Sequence, residues 1–171
     1  MFGIKLLKSV VNILQSEISP NQIAAGAVIG AIIGLTPVSA LHIYFLFFLM
    51  LILNVNIGSA MLSATIFKLI GMLIDPISDK IGYYLLVRNT SLKDFWTNLY
   101  NTPIVPFTHF NNTVVLGSFV VGIILALPIF FLSKKLLVIY RLRLKDKVAK
   151  WKIMKVFKIT SIYNVYDKLN K

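Results

Sequence analysis

Cysteine is absent from the chain, histidine occurs twice, and aspartate and glutamate together supply six of its 171 residues. The missing cysteine excludes disulfides, thiolate metal sites and cysteine nucleophiles, and says nothing about compartment. So few acids and histidines leave no paired-carboxylate motif and no histidine pair at metal-ligand spacing. A Gly-Lys-Ser/Thr phosphate loop and a nucleophile elbow are missing as well. The sequence therefore predicts no enzyme, no catalytic residue, no cofactor and no metal. No signal peptide is expected either. The opening "MFGIKLLKSVVNILQSEISP" has no continuous apolar region and no small-residue cleavage site, so it is expected to be retained.

What the chain has in excess is apolar surface. Apolar residues make up 57% of it, mean hydropathy is +0.80, and the charges fall in a few blocks rather than over amphipathic faces. That balance predicts a membrane protein. Three tracts, Ile23 to Leu53, Val55 to Ile74 and Thr113 to Leu132, each contain a run long enough to be membrane-embedded. The expected fold is an all-α integral membrane protein with a broken, glycine-rich helical hairpin, re-entrant or kinked, two transmembrane helices and amphipathic interfacial helices. Residues 1–19 are read as an amphipathic interfacial helix, 20–132 as the membrane domain and 133–171 as a basic amphipathic cytoplasmic tail. Within the membrane domain, 23–36 and 38–53 form the broken hairpin, 55–74 a span, 75–110 an outer interfacial segment and 111–132 the last span.

The first tract is too long for one upright crossing. As a single helix it would measure about 46 Å, against a hydrocarbon core of about 30 Å. Thr36-Pro37 interrupts it. Proline has no amide hydrogen and biases the preceding residue away from the α region, so Thr36 ends a half-helix and Val38 to Leu41 form a turn. Ser19-Pro20-Asn21-Gln22 reads as its start, with Ser19 as cap, Pro20 in the first helical position and Gln22 completing a capping box.

Charge then sets direction. The net +12 is concentrated at one end, since twelve Lys or Arg follow Ser133 against Asp146 and Asp167. The tail is expected in the cytoplasm. Between Asp75 and Phe110, Lys80, Arg88 and Lys93 balance Asp75, Asp79 and Asp94, which fits the opposite face. Lys5 and Lys8 against Glu17 weakly favour an inside N-terminus. Both termini inside requires an even number of crossings, which a first tract entering and leaving by one face satisfies. The rival is a single kinked, strongly tilted helix, which places the N-terminus outside.

Several positions stand out. Gly26, Gly30 and Gly34 recur every four residues, with Ala27 and Ala31 beside them, and such rows allow close backbone approach in lipid. Gly58, Ala60, Ala64 and Gly71 offer a matching face on the next span. Internal packing explains the row, and contact with another protein or a substrate passage is the sharper alternative. His42 follows the Pro37 turn and either faces a polar pocket or is satisfied by water or backbone. Lys68 lies inside the second tract, where a charge must snorkel or pair, with Asp75 seven residues on as a partner in reach. Asp75-Pro76 marks a helix end.

The segment from Asp75 to Phe110 carries Tyr83, Tyr84, Phe95, Trp96, Tyr100, Phe107 and Phe110, which predicts two short interfacial helices with Ser91 capping the second. Asn111 or Asn112 then caps the last span, which also holds Gly117. In the tail, basic residues alternate with Trp151, Phe157, Tyr163 and Tyr166. Lys134, Lys135, Arg141, Arg143, Lys147 and Lys150 are read as contacts to anionic cytoplasmic lipid, and nucleic acid is not expected.

"SPNQIAAGAVIGAIIGLTP", the following "LH", "LNVN", "DPISDKIG", "LYNTPIVPFTHFNNTVVLGS", "ALPIF", "YR" and the final "SIYNVY" resemble a family of small uncharacterised bacterial integral membrane proteins. The likeness runs through nearly the whole chain. Its first third is similar to a wider family of unknown function with a proline, alanine-glycine, glycine, proline and histidine pattern. The resemblance implies a Gram-negative-type inner membrane and, because such genes usually neighbour one for a larger uncharacterised envelope protein, an obligate partner. It brings no established activity. The expectation is a non-enzymatic inner-membrane subunit that anchors or assembles a larger envelope protein, with lipid transport between membranes as a candidate process. Its docking or packing residues are Gly26, Gly30, Gly34, Pro37, His42, Asn111, Asn112 and Gly117. The alternative is a small transporter or channel subunit with the broken hairpin lining the substrate path.

Overall fold

A computed structural model describes residues 16–144 together with Val10, Ile13 and Leu14. Most of the N-terminal stripe, and the tail beyond Leu144 with Lys147 and Lys150, lie outside the described residues. Among the described residues every regular element is helical and there is no strand. The principal helices are α1 (Pro20–Leu35), α2 (Leu41–Ile52), α3 (Ile57–Tyr83), α4 (Lys93–Tyr100) and α5 (Thr113–Ile139). The chain divides into two compact units, Ile18–Lys134 and a second made of 1–17 with 135–171.

Local chemistry sets the helix ends in the larger unit. Ser19 caps α1 by accepting from the Asn21 amide at 3.3 Å, and Pro20 occupies the first turn. At the other end Thr36 is fully buried and bonds back to Ile32, its amide and its hydroxyl both donating to the Ile32 carbonyl. Pro37 follows and the helix stops. A turn over 37–40 leads into α2 at Leu41, closed by the Ala40 amide on the Pro37 carbonyl. Asn56 caps α3, its side chain accepting from the Ser59 amide at 2.6 Å.

The chain path follows from three contacts. The Asn56 amide donates to the Gln22 carbonyl at 3.0 Å, so α2 returns the chain to the start of α1. Gly26 lies against Asn56 and Ser59, Gly30 against Ala60, and Gly34 against Ala64. α1 and α3 therefore run parallel. Gly82 meets Thr113 and Gly117 meets Ser78, so α5 runs antiparallel to α3, and Gly122 then reaches Ile32 of α1. Ile33, Ala40, Ile43 and Val115 form the small buried core between them.

Asp75-Pro76, read from sequence as a helix end, instead lies inside α3, which continues to Tyr83. Proline at 76 removes one backbone bond, but the turns beyond it carry Ser78 and Gly82, which pack against α5. This extension replaces the first of the two interfacial helices expected after Asp75. A wide turn at Tyr84–Arg88 closes it, with the Asn89 amide donating to the Tyr84 carbonyl five residues back. Ser91 sits within a short tight turn, Thr90–Leu92, and α4 begins without a side-chain cap. The last helix is likewise longer than 111–132, running to Ile139 through Pro128.

Among the described residues two helices are long and apolar enough to cross a membrane once their terminal turns are included, Ile57–Arg88 with 32 residues and Thr113–Arg143 with 31. α1 and α2 are shorter, at 16 and 12 residues. In the second unit the Arg141 guanidinium donates to the Ser16 carbonyl at 2.6 Å, joining the two segments of that unit.

Candidate functional site

The glycine row of α1 is the first structural centre. A β-carbon at Gly26 would overlap the Ser59 hydroxyl and the Asn56 carbonyl, and one at Gly30 would overlap the Ala60 carbonyl. The face opposite is built partly from residues the sequence did not mark. Ser59 and Ser63 are buried, and their hydroxyls donate to the Ile23 carbonyl at 2.9 Å and the Ala27 carbonyl at 2.6 Å. Each serine satisfies its own polar atom on the neighbouring backbone, and such bonds contribute roughly 0.6 kcal/mol apiece between membrane helices. Ala60, Ala64 and Gly71 do face α1, whereas Gly58 is exposed.

The second centre is the crossing of α3 and α5. Gly82 and Gly117 each press on the partner's backbone, Ser118 is buried nearby, and Thr113 donates its hydroxyl to the Asp79 carboxylate. Asn112 caps α5, its side-chain oxygen accepting from the Val114 amide at 2.9 Å and the Val115 amide at 3.1 Å. Asn111 is exposed and makes no cap; it borders an aromatic cleft of about 360 Å³ with Trp96, Tyr100 and Phe110. Trp96 fixes that cleft by donating its indole N–H to the Leu85 carbonyl at 2.8 Å while stacking on Phe110 at 5.7 Å.

Pro37 and His42 lie at the α1–α2 turn. The His42 ring packs on Phe119 of α5 at 4.7 Å with the Thr108 backbone beside it, and its Nε2 is buried without a hydrogen-bond partner. The Val105–Thr108 segment and the early turns of α5 thus meet at His42, and Phe119, on which it packs, is two residues from Gly117. His109 points elsewhere; it is exposed, with a left-handed backbone at φ 55°. Lys134 is half-buried and Lys135 exposed, both near the far end of α5, about 32 Å of helix from Thr113. Arg141 and Arg143 occupy the wide turn after α5. Among the described residues no three His, Asp or Glu side chains are grouped to hold a metal ion.

Comparisons with known proteins agree with a chain of this length and pattern. A family model described as "Uncharacterized protein conserved in bacteria (DUF2062)" matches residues 5–145, well beyond the first third of the chain. An "Uncharacterized protein" of Treponema pallidum (strain Nichols) is 28% identical over 145 residues, covering 85% of this chain and 89% of that one. No solved structure matches. With the family model covering both the glycine-packed helices and the α3–α5 crossing, the chain belongs to the DUF2062 family of uncharacterised conserved bacterial proteins.

Proposed function

We propose that this protein is a non-enzymatic subunit of the bacterial inner membrane, with both termini cytoplasmic, that anchors or assembles a larger envelope protein, with lipid transport between membranes as the process it serves. The use made of its small residues carries this reading. Gly26, Gly30, Gly34, Gly82 and Gly117 all lie against the backbone of a neighbouring helix, so the interior is closed by contact rather than opened as a passage. The apolar surface is left outside. Within the apolar stretches of α3 and α5, 22% and 28% of residues are buried. α2 buries only Ile43 and Met50 and presents Tyr44, Phe45, Phe48 and Leu51 outward. Aromatic density of this kind is enriched where proteins meet.

In this reading α1 and α2 form a re-entrant pair. At about 24 and 18 Å neither crosses a 30 Å core, and the bond between Gln22 and Asn56 brings its entry and exit to one level. The irregular backbone of the 37–40 turn is flanked by the buried Thr36 and Ala40, and His42 just after it packs on Phe119 of α5, while Val38 and Ser39 at its tip are exposed. α3 and α5 then cross, and the basic end of α5 with the tail contacts anionic lipid on the cytoplasmic face.

The test is photocrosslinking in native membranes from a photoreactive amino acid in place of Phe48, which is 57% exposed. Near-stoichiometric capture of one larger envelope protein is the expected result. Capture of lipid with no protein adduct would overturn the scaffold reading in favour of the second one, a small transporter or channel subunit lined by the broken pair. Lys68, which borders a groove between α2 and α3, is the observation on that side.

A further inference from the structure

Resting on the membrane reading above, we infer that the groove between α2 and α3 is a binding site for one anionic phospholipid, with the Lys68 ammonium pairing its phosphate. The groove has a volume of about 370 Å³. Its walls are Ile33 and Val38 at the end of α1 and its turn, Phe47 from α2, and Met61 and Leu69 from α3. Thr65 also lines it, but its hydroxyl is committed to the Met61 carbonyl of its own helix at 2.9 Å. Lys68 is the one polar side chain left over. Among the described residues its side chain has no hydrogen bond and no ion pair, Asp75 included.

A cation at this position is costly in hydrocarbon unless something neutralises it. Lys68 is seven residues short of Asp75, about 10 Å along the helix and inside the apolar stretch. The groove is polarised in the sense a phospholipid requires. The Lys68 amide lies beside Gly34, close to the Pro37–Ala40 turn, and Lys68 is the one charged residue of the lining, so the polar end of the groove is there. Phe47, further along α2, and Met61, nearer the start of α3, lie away from that turn and provide an apolar bed for an acyl chain. Leu69 and Met61 are 65% and 51% exposed, leaving the groove open sideways to entry from the bilayer. A lipid with net negative charge fits better than a zwitterionic one, whose own ammonium competes with Lys68 for the phosphate.

The experiment reconstitutes the full chain with diazirine-bearing phosphatidylglycerol or phosphatidylcholine of identical acyl chains and maps the adducts by peptide mass spectrometry. Labelling of the peptides containing Phe47 and Met61 is expected to favour phosphatidylglycerol by about tenfold, a difference of about 1.4 kcal/mol. Lys68→Gln should abolish that preference and Lys68→Arg should keep it, while labelling near Lys134 and Arg143 is unchanged by either. Equal labelling by the two lipids, or wild-type labelling of Lys68→Gln, would overturn the site. Release of the wild-type protein from membranes by alkaline carbonate is a separate readout. It would overturn the membrane reading itself, whereas retention with equal labelling removes the lipid site alone.

Discussion

Gly30→Ala is expected to destabilise the protein by about 3 kcal/mol, and Gly30→Leu to leave no folded protein in detergent or membrane. Alanine normally gains up to about 1 kcal/mol over glycine inside a helix, so the sign of this effect is the informative part. At Gly30 the added carbon falls on the carbonyl, carbonyl carbon and Cα of Ala60, and backbone of a packed helix has no rotamer by which to move aside. Relief requires the whole of α1 to back away from α3, and that separation would also lengthen the hydrogen bonds of Ser59 and Ser63 to α1. Gly71 is the internal control. A β-carbon there meets its nearest neighbours in α1 at 3.5 Å, an ordinary contact, so Gly71→Ala should be neutral or slightly stabilising. Unfolding of both variants in a mild detergent, followed by helical circular dichroism, measures the contrast. Equal behaviour of the two alanines would mean that α1 and α3 are not in backbone contact.

The second large effect is expected at the other end of α3. Gly117→Val should cost about 3 kcal/mol or more and detach α5 from α3 while leaving the α1–α3 pair intact. Gly117 lies against the Ser78 carbonyl and the Gly82 amide, and Gly82 in turn against Thr113, so each helix carries the gap that the other fills. Loss of this crossing also frees Phe119 from His42, the contact through which α5 reaches the start of α2. Limited proteolysis separates the two substitutions. Gly117→Val should expose the loop between Tyr100 and Thr113 to cleavage and spare the α1–α3 pair, whereas Gly30→Leu should expose both. A Gly117→Val protein as protease-resistant as the wild type would show that Gly117 serves a docking surface and not this junction.

The residues that announce a break were readable along the chain because their chemistry is local. Ser19 and Pro20 at the start of α1, Thr36-Pro37 at its end and Asn112 before α5 each act on amides or carbonyls within four residues. The four-residue glycine row was equally visible, since it needs only helical spacing. What it packs against was visible in part. Ala60 and Ala64 belong to the small-residue face, but Ser59 and Ser63 carry no signal of their own until α1 carbonyls lie opposite them. Ser78 and Gly82 were hidden by Pro76. A proline read as a terminator removes the helix on which their spacing has meaning, yet α3 continues because α5 supplies packing that no local rule contains. His42 stands out in the sequence, but its surroundings do not. Its neighbours, Phe119 and Thr108, are more than sixty positions away in sequence.

In the proposed topology the chain enters and leaves the membrane on one face through α1 and α2 before α3 crosses, and the lack of any cysteine makes that topology directly testable. Single cysteines at Asn21, Asn54 and Asn98, introduced one at a time into the otherwise cysteine-free chain, can be probed in intact cells and in inverted vesicles with a membrane-impermeant maleimide. Asn21→Cys and Asn54→Cys are expected to be labelled only from the cytoplasmic side and Asn98→Cys only from the opposite side. Labelling of Asn21→Cys and Asn54→Cys from opposite sides would contradict that topology, and would make residues 23–53 a single tilted crossing.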